Sequence, residues 1–103
     1  MNNIERIVKD NNISEKRERM LKNRETILHI KKKMSDLKLK KNVAEYAYNF
    51  GLIDYLIKDD NLDELDKIIE RNKILLQDEN VLYYDNLRRN VKYLEQENSY
   101  YYQ

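Results

Sequence analysis

Residues 43–58 read VAEYAYNFGLIDYLIK, and this stretch decides the fold. Its apolar and aromatic residues point in nearly every direction around a helix axis instead of lining one face. They are Val43, Ala44, Tyr46, Ala47, Tyr48, Phe50, Leu52, Ile53, Tyr55, Leu56 and Ile57. Because a helix that is apolar on all sides must be covered on all sides, the stretch predicts a buried central helix.

The rest of the chain is suited to helices that cover this centre. Pro is absent and Gly occurs once, at Gly51, so tight β-turns that need a positive φ have few places to form. Ile, Leu, Val, Met and Phe make up 31 of the 103 residues, which is enough for one modest core. The sequence therefore predicts an all-α fold, a small helical bundle of four to five helices in a single domain over residues 1–103.

A long, charged, amphipathic helix is predicted on the N-terminal side of this centre, over residues 14–40. Ser14 is suited to cap it, and Asn11-Asn12 separates it from a short helix or arm over residues 1–12. Apolar residues recur along it every seven positions, at Met20, Ile27 and Met34. So narrow an apolar seam is typical of coiled coils, and it predicts self-association, for instance as a homodimer.

The C-terminal half contains further helix signals. Asn42 with Glu45, and Asn61 with Glu64, have the spacing of residues that begin helices. Residues 62–97 form either a hairpin or one rod. We favour a hairpin that breaks near residues 77–80, because a chain of this size has no core that would bury a rod of roughly 54 Å. Residues 98–103 are expected to fray.

Charge is divided unevenly between the two halves of the chain. Residues 1–42 hold 13 Lys and Arg against 6 Asp and Glu, whereas residues 43–103 hold 7 against 13. The net charge of +1 therefore hides a basic half joined to an acidic half. A surface polarised in this way is suited to binding a charged partner.

Signals for catalysis and for metal binding are weak. His29 is the only histidine, cysteine is absent, and no Gly-rich phosphate loop is present. Glu45 and Asp54 are about 13–14 Å apart along a helix, too far to act as a carboxylate pair. The acidic run 59–70 has some of the spacing of a calcium loop, but Glu64 stands where the sharp turn needs Gly. We therefore predict no enzyme activity, no metal site and no cofactor.

The acidic half offers a candidate surface for a protein partner. On a helix its acids would line one face, at Asp59, Asp63, Asp66 and Glu70. Tyr83 and Tyr84 belong to the same half, and tyrosine is favoured at protein interfaces. This pattern predicts a non-catalytic protein–protein interaction module, a small regulator or inhibitor whose partner presents a basic face.

Two other functions remain open. The basic half favours nucleic-acid binding through phosphate contacts, at Lys31, Lys32, Lys33, Lys38, Lys40 and Lys41. The seam of Met20, Ile27 and Met34 is instead consistent with a purely structural coiled-coil dimer.

Composition also bears on location and origin. The absence of cysteine fits a reducing cytoplasm, and we expect a cytoplasmic protein without a signal peptide or a membrane-spanning segment. Lys, Asn, Ile and Tyr, which have A/T-rich codons, are abundant. We interpret this bias as that of a phage or mobile element of a low-GC host.

Overall fold

The computed structural model describes the backbone of residues 3–101 and the side chains of residues 13–101. It contains four helices: α1 (Asn3–Leu37), α2 (Lys41–Lys58), α3 (Leu62–Leu75) and α4 (Glu79–Tyr101). Residues 3–101 contain no β-strand. The all-α fold, a small helical bundle, is confirmed.

The helices associate as two antiparallel pairs, α1 with α4 and α2 with α3. Within each pair, buried and half-buried residues recur alternately three and four positions apart, as in coiled coils. In α1 these are Met20, Asn23, Ile27, Ile30, Met34 and Leu37, and in α4 they are Tyr84, Leu87, Val91, Leu94, Asn98 and Tyr101. The α1–α4 pair is therefore an intramolecular coiled coil.

One buried cluster joins the two pairs. It consists of Val43, Tyr46, Leu75, Val81 and Tyr84. Met34 and Leu37 of α1 pack against it, as do Ala47 and Phe50 of α2 and Leu76. The cluster lies where α1 ends and α4 begins, so the turn between α2 and α3 is at the far end of its pair.

The molecule is elongated and thin. Its radius of gyration over Cα atoms is 19.4 Å, whereas a compact domain of about 100 residues has roughly 13 Å. The Cα atoms extend over 63 × 31 × 16 Å. Because packed helix axes lie about 8–10 Å apart, the smallest dimension corresponds to about two layers of helices. Each helix therefore keeps an outer face.

The prediction that residues 43–58 are buried on all sides was wrong. Tyr46 is buried as expected, but Tyr48 is 70% exposed and Tyr55 is 61% exposed. The other helices contact α2 on one side, α3 along its length and α4 near its beginning. A two-layer arrangement has too few neighbours to cover the opposite side.

The N-terminal helix is longer than predicted. It is helical without interruption through Asn11-Asn12 and Ser14, so the separate short helix over residues 1–12 and the cap at Ser14 were wrong. An asparagine in a helix costs at most about 0.7 kcal/mol relative to alanine, which does not stop a helix once it is nucleated. The side chains of residues 1–12 lie outside the described part.

The break predicted within residues 62–97 is confirmed, since α3 ends at Leu75 and α4 begins at Glu79. Asp78 begins α4 as an N-cap does, because its Oδ1 accepts hydrogen bonds from the backbone N–H of Asn80 (2.8 Å) and Val81 (3.3 Å). The hairpin itself was wrong, because α3 packs mainly on α2 and α4 mainly on α1, so the two helices do not pair with each other. The chain stays helical to Tyr101, so fraying from residue 98 was wrong for 98–101. Residues 102–103 lie outside the described part.

The two predicted asparagine caps have different outcomes. Asn61 caps α3, and its side chain accepts a hydrogen bond from Glu64 N–H (3.4 Å), as predicted. Asn42 does not cap α2, because Lys40 occupies the N-cap position. The Asn42 amide instead donates to Asp78 Oδ2 (2.9 Å) across the α3–α4 turn. A tertiary contact has replaced the local one.

Candidate interaction surfaces

The outer face of α3 carries an acidic surface formed by Asp63, Asp66 and Glu70. All three side chains are exposed, on the side of the helix opposite the residues that face α2. Glu70 lies 3.0 Å from Lys73 Nζ, while Asp63 and Asp66 have no ion pair within residues 13–101. Leu62 and Ile74, both more than half exposed, border the acids. We call these five residues the α3 surface.

The other residues predicted for this surface lie elsewhere. Asp59 is the C-cap of α2 and belongs to the turn before α3. Tyr84 is only 4% exposed and packs edge-to-face on Tyr46 at 6.2 Å, so a partner cannot contact it. Tyr83 is partly exposed in the first turn of α4, whereas Asp63 lies about 18 Å along α3 from its C-terminal end. The surface on α3 is therefore acidic, as predicted, but it contains no tyrosine.

The basic residues predicted for nucleic acid are exposed but dispersed. Three consecutive residues of a helix point about 100° apart, so Lys31, Lys32 and Lys33 face three directions. Lys31 Nζ lies 3.2 Å from Glu95 Oε1 on α4. The remaining lysines, Lys38, Lys40 and Lys41, lie at the α1–α2 turn, where all three are exposed.

The seam predicted for self-association is occupied within the chain. Ile27 is buried and Met20 is half-buried, both on the face of α1 that contacts α4. Met34 packs against the cluster that joins the helix pairs. The contact predicted for a dimer is thus made within one chain, by α4.

Two asparagine pairs, which the sequence analysis missed, cross the buried faces of the helix pairs. Asn23 Nδ2 donates to Asn98 Oδ1 (2.9 Å) between α1 and α4, and Asn98 Nδ2 donates to the Met20 carbonyl (3.3 Å). Asn49 Nδ2 donates to Asn72 Oδ1 (2.9 Å) between α2 and α3. Buried asparagines at coiled-coil positions select one register. The sequence did contain a signal for the first pair, because Asn23 lies three positions after Met20 and four before Ile27, on the same predicted coiled-coil face.

A buried carboxylate, Asp85, connects α2 to α4. Only 2% of Asp85 is exposed. The Tyr46 hydroxyl donates to its Oδ1 (2.6 Å), Arg88 Nη2 donates to the same oxygen (3.0 Å), and Arg89 Nε lies 3.0 Å from Oδ2. The Arg88 guanidinium also lies over the Phe50 ring, 4.2 Å from its centroid. Every Asp85 oxygen is therefore hydrogen-bonded or ion-paired.

Burial and hydrogen bonding shift the pKa values of this cluster in opposite directions. Burial raises the pKa of Asp85, but the hydrogen bonds from Tyr46 and Arg88 and the charges of Arg88 and Arg89 outweigh it and hold that pKa below its ordinary value. Burial and the hydrogen bond to Asp85 raise the pKa of the Tyr46 hydroxyl. Asp85 is therefore charged and Tyr46 neutral at neutral pH, which fits a structural contact.

The carboxylate considered for acid–base chemistry is also part of a structural contact. Arg71 Nη2 donates to Glu45 Oε1 (3.0 Å) and joins α3 to α2. This hydrogen bond, with the charge of Arg71, holds the pKa of Glu45 below its ordinary value. His29 is exposed on α1. Residues 13–101 contain no group of three or more His, Asp or Glu placed to hold a metal ion.

An open groove of about 570 Å³ lies at the end of the α1–α4 pair. Its apolar residues are Ile13, Met20, Leu21 and Tyr101, and its basic residues are Lys16, Arg17 and Arg24. Such a lining can hold an acidic or apolar chain segment. It lacks a nucleophile placed beside a base.

Comparisons of the chain with protein-family models, with curated proteins and with solved structures find no match. A separate result concerns membranes: among the helices described here, none combines the length and the apolar character needed to cross a bilayer.

Proposed function

We propose that this chain is a non-catalytic protein-binding module that uses the α3 surface to occupy a basic face of its partner. In this proposal it acts in the cytoplasm as a small regulator or inhibitor of phage or mobile-element origin. The observation that carries the proposal is the exposure of Asp63 and Asp66, unpaired, on a helix face with no neighbour in residues 13–101.

Charge distribution supports this choice. Residues 59–78 hold seven acidic residues against three basic ones, so the acidity of the C-terminal half is concentrated at α3 and its flanking turns. Aspartates have short side chains and lose little entropy when they are immobilised at an interface. Leu62 and Ile74 add apolar area at the rim, and apolar area is the main source of binding free energy.

Nucleic-acid binding through Lys31–Lys33 and Lys38–Lys41 is the second candidate. It is favoured by the three exposed lysines at the α1–α2 turn, which present positive charge together. It is disfavoured by the dispersion of Lys31, Lys32 and Lys33 around α1 and by the contact of Lys31 with Glu95.

Affinity capture from a lysate of the source cell, with and without nuclease, tests the proposal. The double variant Asp63→Lys/Asp66→Lys should lose the partner that the unchanged chain captures, because two attractive charges become repulsive. Circular dichroism should show that the variant keeps its helices.

The matched control is Glu15→Lys/Glu18→Lys. These two acids have the same three-residue spacing and are also exposed, but they lie on α1. The control should capture the partner as the unchanged chain does. Equal capture of the partner by both double variants would rule out the α3 surface as the binding site. A partner that is lost only after nuclease treatment would favour nucleic-acid binding through the lysines.

A further inference from the structure

The outer face of α2 has the spacing of a coiled-coil seam but no partner within residues 13–101. Its residues alternate three and four positions apart, at Lys41, Ala44, Tyr48, Gly51, Tyr55 and Lys58, and all six are exposed. The buried residues Val43, Tyr46, Asn49 and Leu56 occupy the other side of the same helix. Helix α2 thus has two faces with coiled-coil spacing, and only one of them is covered by the other helices.

Gly51 has no structural role in the folded chain. Nothing outside its own helix lies within 4 Å of the position that a Cβ would occupy, and its φ is not positive. A glycine inside a helix costs about 1 kcal/mol relative to alanine. Because Gly51 has no side chain, it leaves a gap between Tyr48 and Tyr55 that can accommodate a side chain of another helix.

We propose that two copies of this chain associate through this face, with their α2 helices antiparallel about a twofold axis. When the midpoints of the two seams coincide, Tyr48 of one copy lies opposite Gly51 of the other, and Tyr55 lies opposite Ala44. Each of these tyrosine layers then combines one large and one small residue, the complementarity that close packing requires. The proposal does not rest on the α3 surface, which is on another helix.

The charges at the two ends of α2 are complementary in this arrangement. Lys38, Lys40 and Lys41 lie at its beginning, Asp59 and Asp60 lie just beyond its end, and Asp54 lies about one turn before that end, all exposed. Antiparallel pairing places the basic end of each copy beside the acidic end of the other, with Lys40 opposite Asp59. The acids also offset the one unfavourable layer, in which Lys41 faces Lys58. The second copy is therefore the occupant that this face fits in both shape and charge.

The area available indicates a weak dimer. Tyr48 and Tyr55 are 70% and 61% exposed, and a tyrosine buries about 150–250 Å² when covered, so the four tyrosines of a dimer supply roughly 400–650 Å². The tyrosines alone thus supply about a third to a half of the roughly 1,200 Å² that stable complexes bury. Association should therefore depend on concentration.

Sedimentation equilibrium of the full chain from about 10 to 500 µM tests the dimer, a range suited to a small interface. The mass of the unchanged chain should rise from 12.7 kDa toward twice that value. Gly51→Gln fills the gap, and because its Cβ lies more than 4 Å from any atom outside the helix backbone, the variant should keep its fold and stay monomeric. Ser35→Gln, at an exposed position of α1, should dimerise as the unchanged chain does. A monomeric unchanged chain, or a Gly51→Gln variant that dimerises equally well, overturns the proposal.

A charge exchange tests the antiparallel register. Lys40→Asp alone and Asp59→Lys alone should each weaken dimerisation about tenfold, since two pairs per dimer become repulsive. The double variant should restore it. The Lys40→Asp change places a better N-cap on α2, so its weaker dimer would not come from a damaged helix. A double variant no tighter than either single variant overturns the register.

Discussion

At the scale of single residues, the buried polar side chains described have specific partners, with one exception. Asp85 is the clearest case, because a carboxylate with 2% exposure would be strongly destabilising without Tyr46, Arg88 and Arg89. Asn72 is the exception. Its carbonyl oxygen accepts from Asn49, but its Nδ2 has no partner within residues 13–101. The contact between α2 and α4 therefore depends on Asp85 more than on any other polar side chain described.

Asp85→Asn should lower the free energy of unfolding by about 2 kcal/mol at neutral pH, since it weakens hydrogen bonds to a charged group and leaves two arginines without their anion. Urea denaturation measures this. Asp36→Asn removes the same charge from an exposed position of α1 and should change stability by less than about 0.5 kcal/mol. Equal effects of the two substitutions would contradict the structural role of Asp85.

The loss of stability caused by Asp85→Asn should also depend on pH. Because the pKa of Asp85 is lower in the folded chain than in the unfolded chain, its charge stabilises the fold fully above about pH 5 and progressively less as pH falls through the folded pKa. The difference in unfolding free energy between the unchanged chain and Asp85→Asn should therefore be largest near neutral pH and shrink below about pH 4. A difference that stays constant from pH 7 to acid would be inconsistent with a charged Asp85.

The turn that ends α2 contains a residue in an unfavourable conformation. Asp60 has a φ of 55°, and the backbone N–H groups of Asp60 and Asn61 donate to the carbonyls of Ile57 and Leu56. This is a Schellman motif with aspartate where glycine is usual. Asp60→Gly should raise the free energy of unfolding by about 0.5–1 kcal/mol, measured by urea denaturation. Asp54→Gly, inside α2, should instead lower it slightly.

At the scale of helices, the two asparagine pairs determine how each helix pair aligns. A shift of α1 against α4 by one helical turn would place Asn23 and Asn98 opposite apolar residues and leave their amides unpaired. The same holds for Asn49 and Asn72. Apolar residues alone would tolerate such shifts, because Leu, Ile and Val side chains are nearly interchangeable across a seam.

A double-mutant cycle on Asn23 and Asn98 tests this role. Asn23→Leu and Asn98→Leu should each cost about 1–2 kcal/mol, because each leaves an unpaired buried amide. The double variant should recover much of that loss, giving a coupling energy of at least about 1 kcal/mol. Asn23→Leu combined with Asn72→Leu joins members of different pairs, and their effects should simply add. Additivity in both combinations would argue against a paired contact.

At the scale of the whole molecule, shape determines which surfaces are available. Two helix pairs joined at one cluster give a thin body with much more surface than a compact bundle. The acidic α3 and its turns lie beyond the cluster on one side, and most of the basic length of α1 lies on the other. Charge separation along the sequence thus becomes separation in space.

X-ray scattering from a dilute solution checks this shape. The Gly51→Gln variant should give a radius of gyration slightly above the Cα value of 19.4 Å, because scattering also reports the side chains and the hydration shell. A compact bundle of the same length would give roughly 13 Å. A value near the compact one would mean that the helix pairs fold onto each other, and the outer faces of α2 and α3 would then no longer be free.

Part of this arrangement could be predicted from the sequence. The helices and the break before α4 follow from local spacing and capping, because these depend on residues within a few positions of each other. Asp85 could not be predicted, since its partner Tyr46 is 39 positions away and nothing local marks the pair. The acidic face of α3 was predictable from periodicity, and so was the burial of Tyr84, which precedes Leu87 and Val91 by three and seven positions on one face of α4.

The sequence by itself determined that this protein is helical, where most of its turns fall and how its charge is divided, because all three are local properties of the chain. Only the tertiary structure decided which faces are covered. Residues 43–58 carry two seams of helical spacing, and both are apolar enough to be buried. Which seam is covered depends on where α3 and α4 lie, and that is set by contacts between residues far apart in sequence.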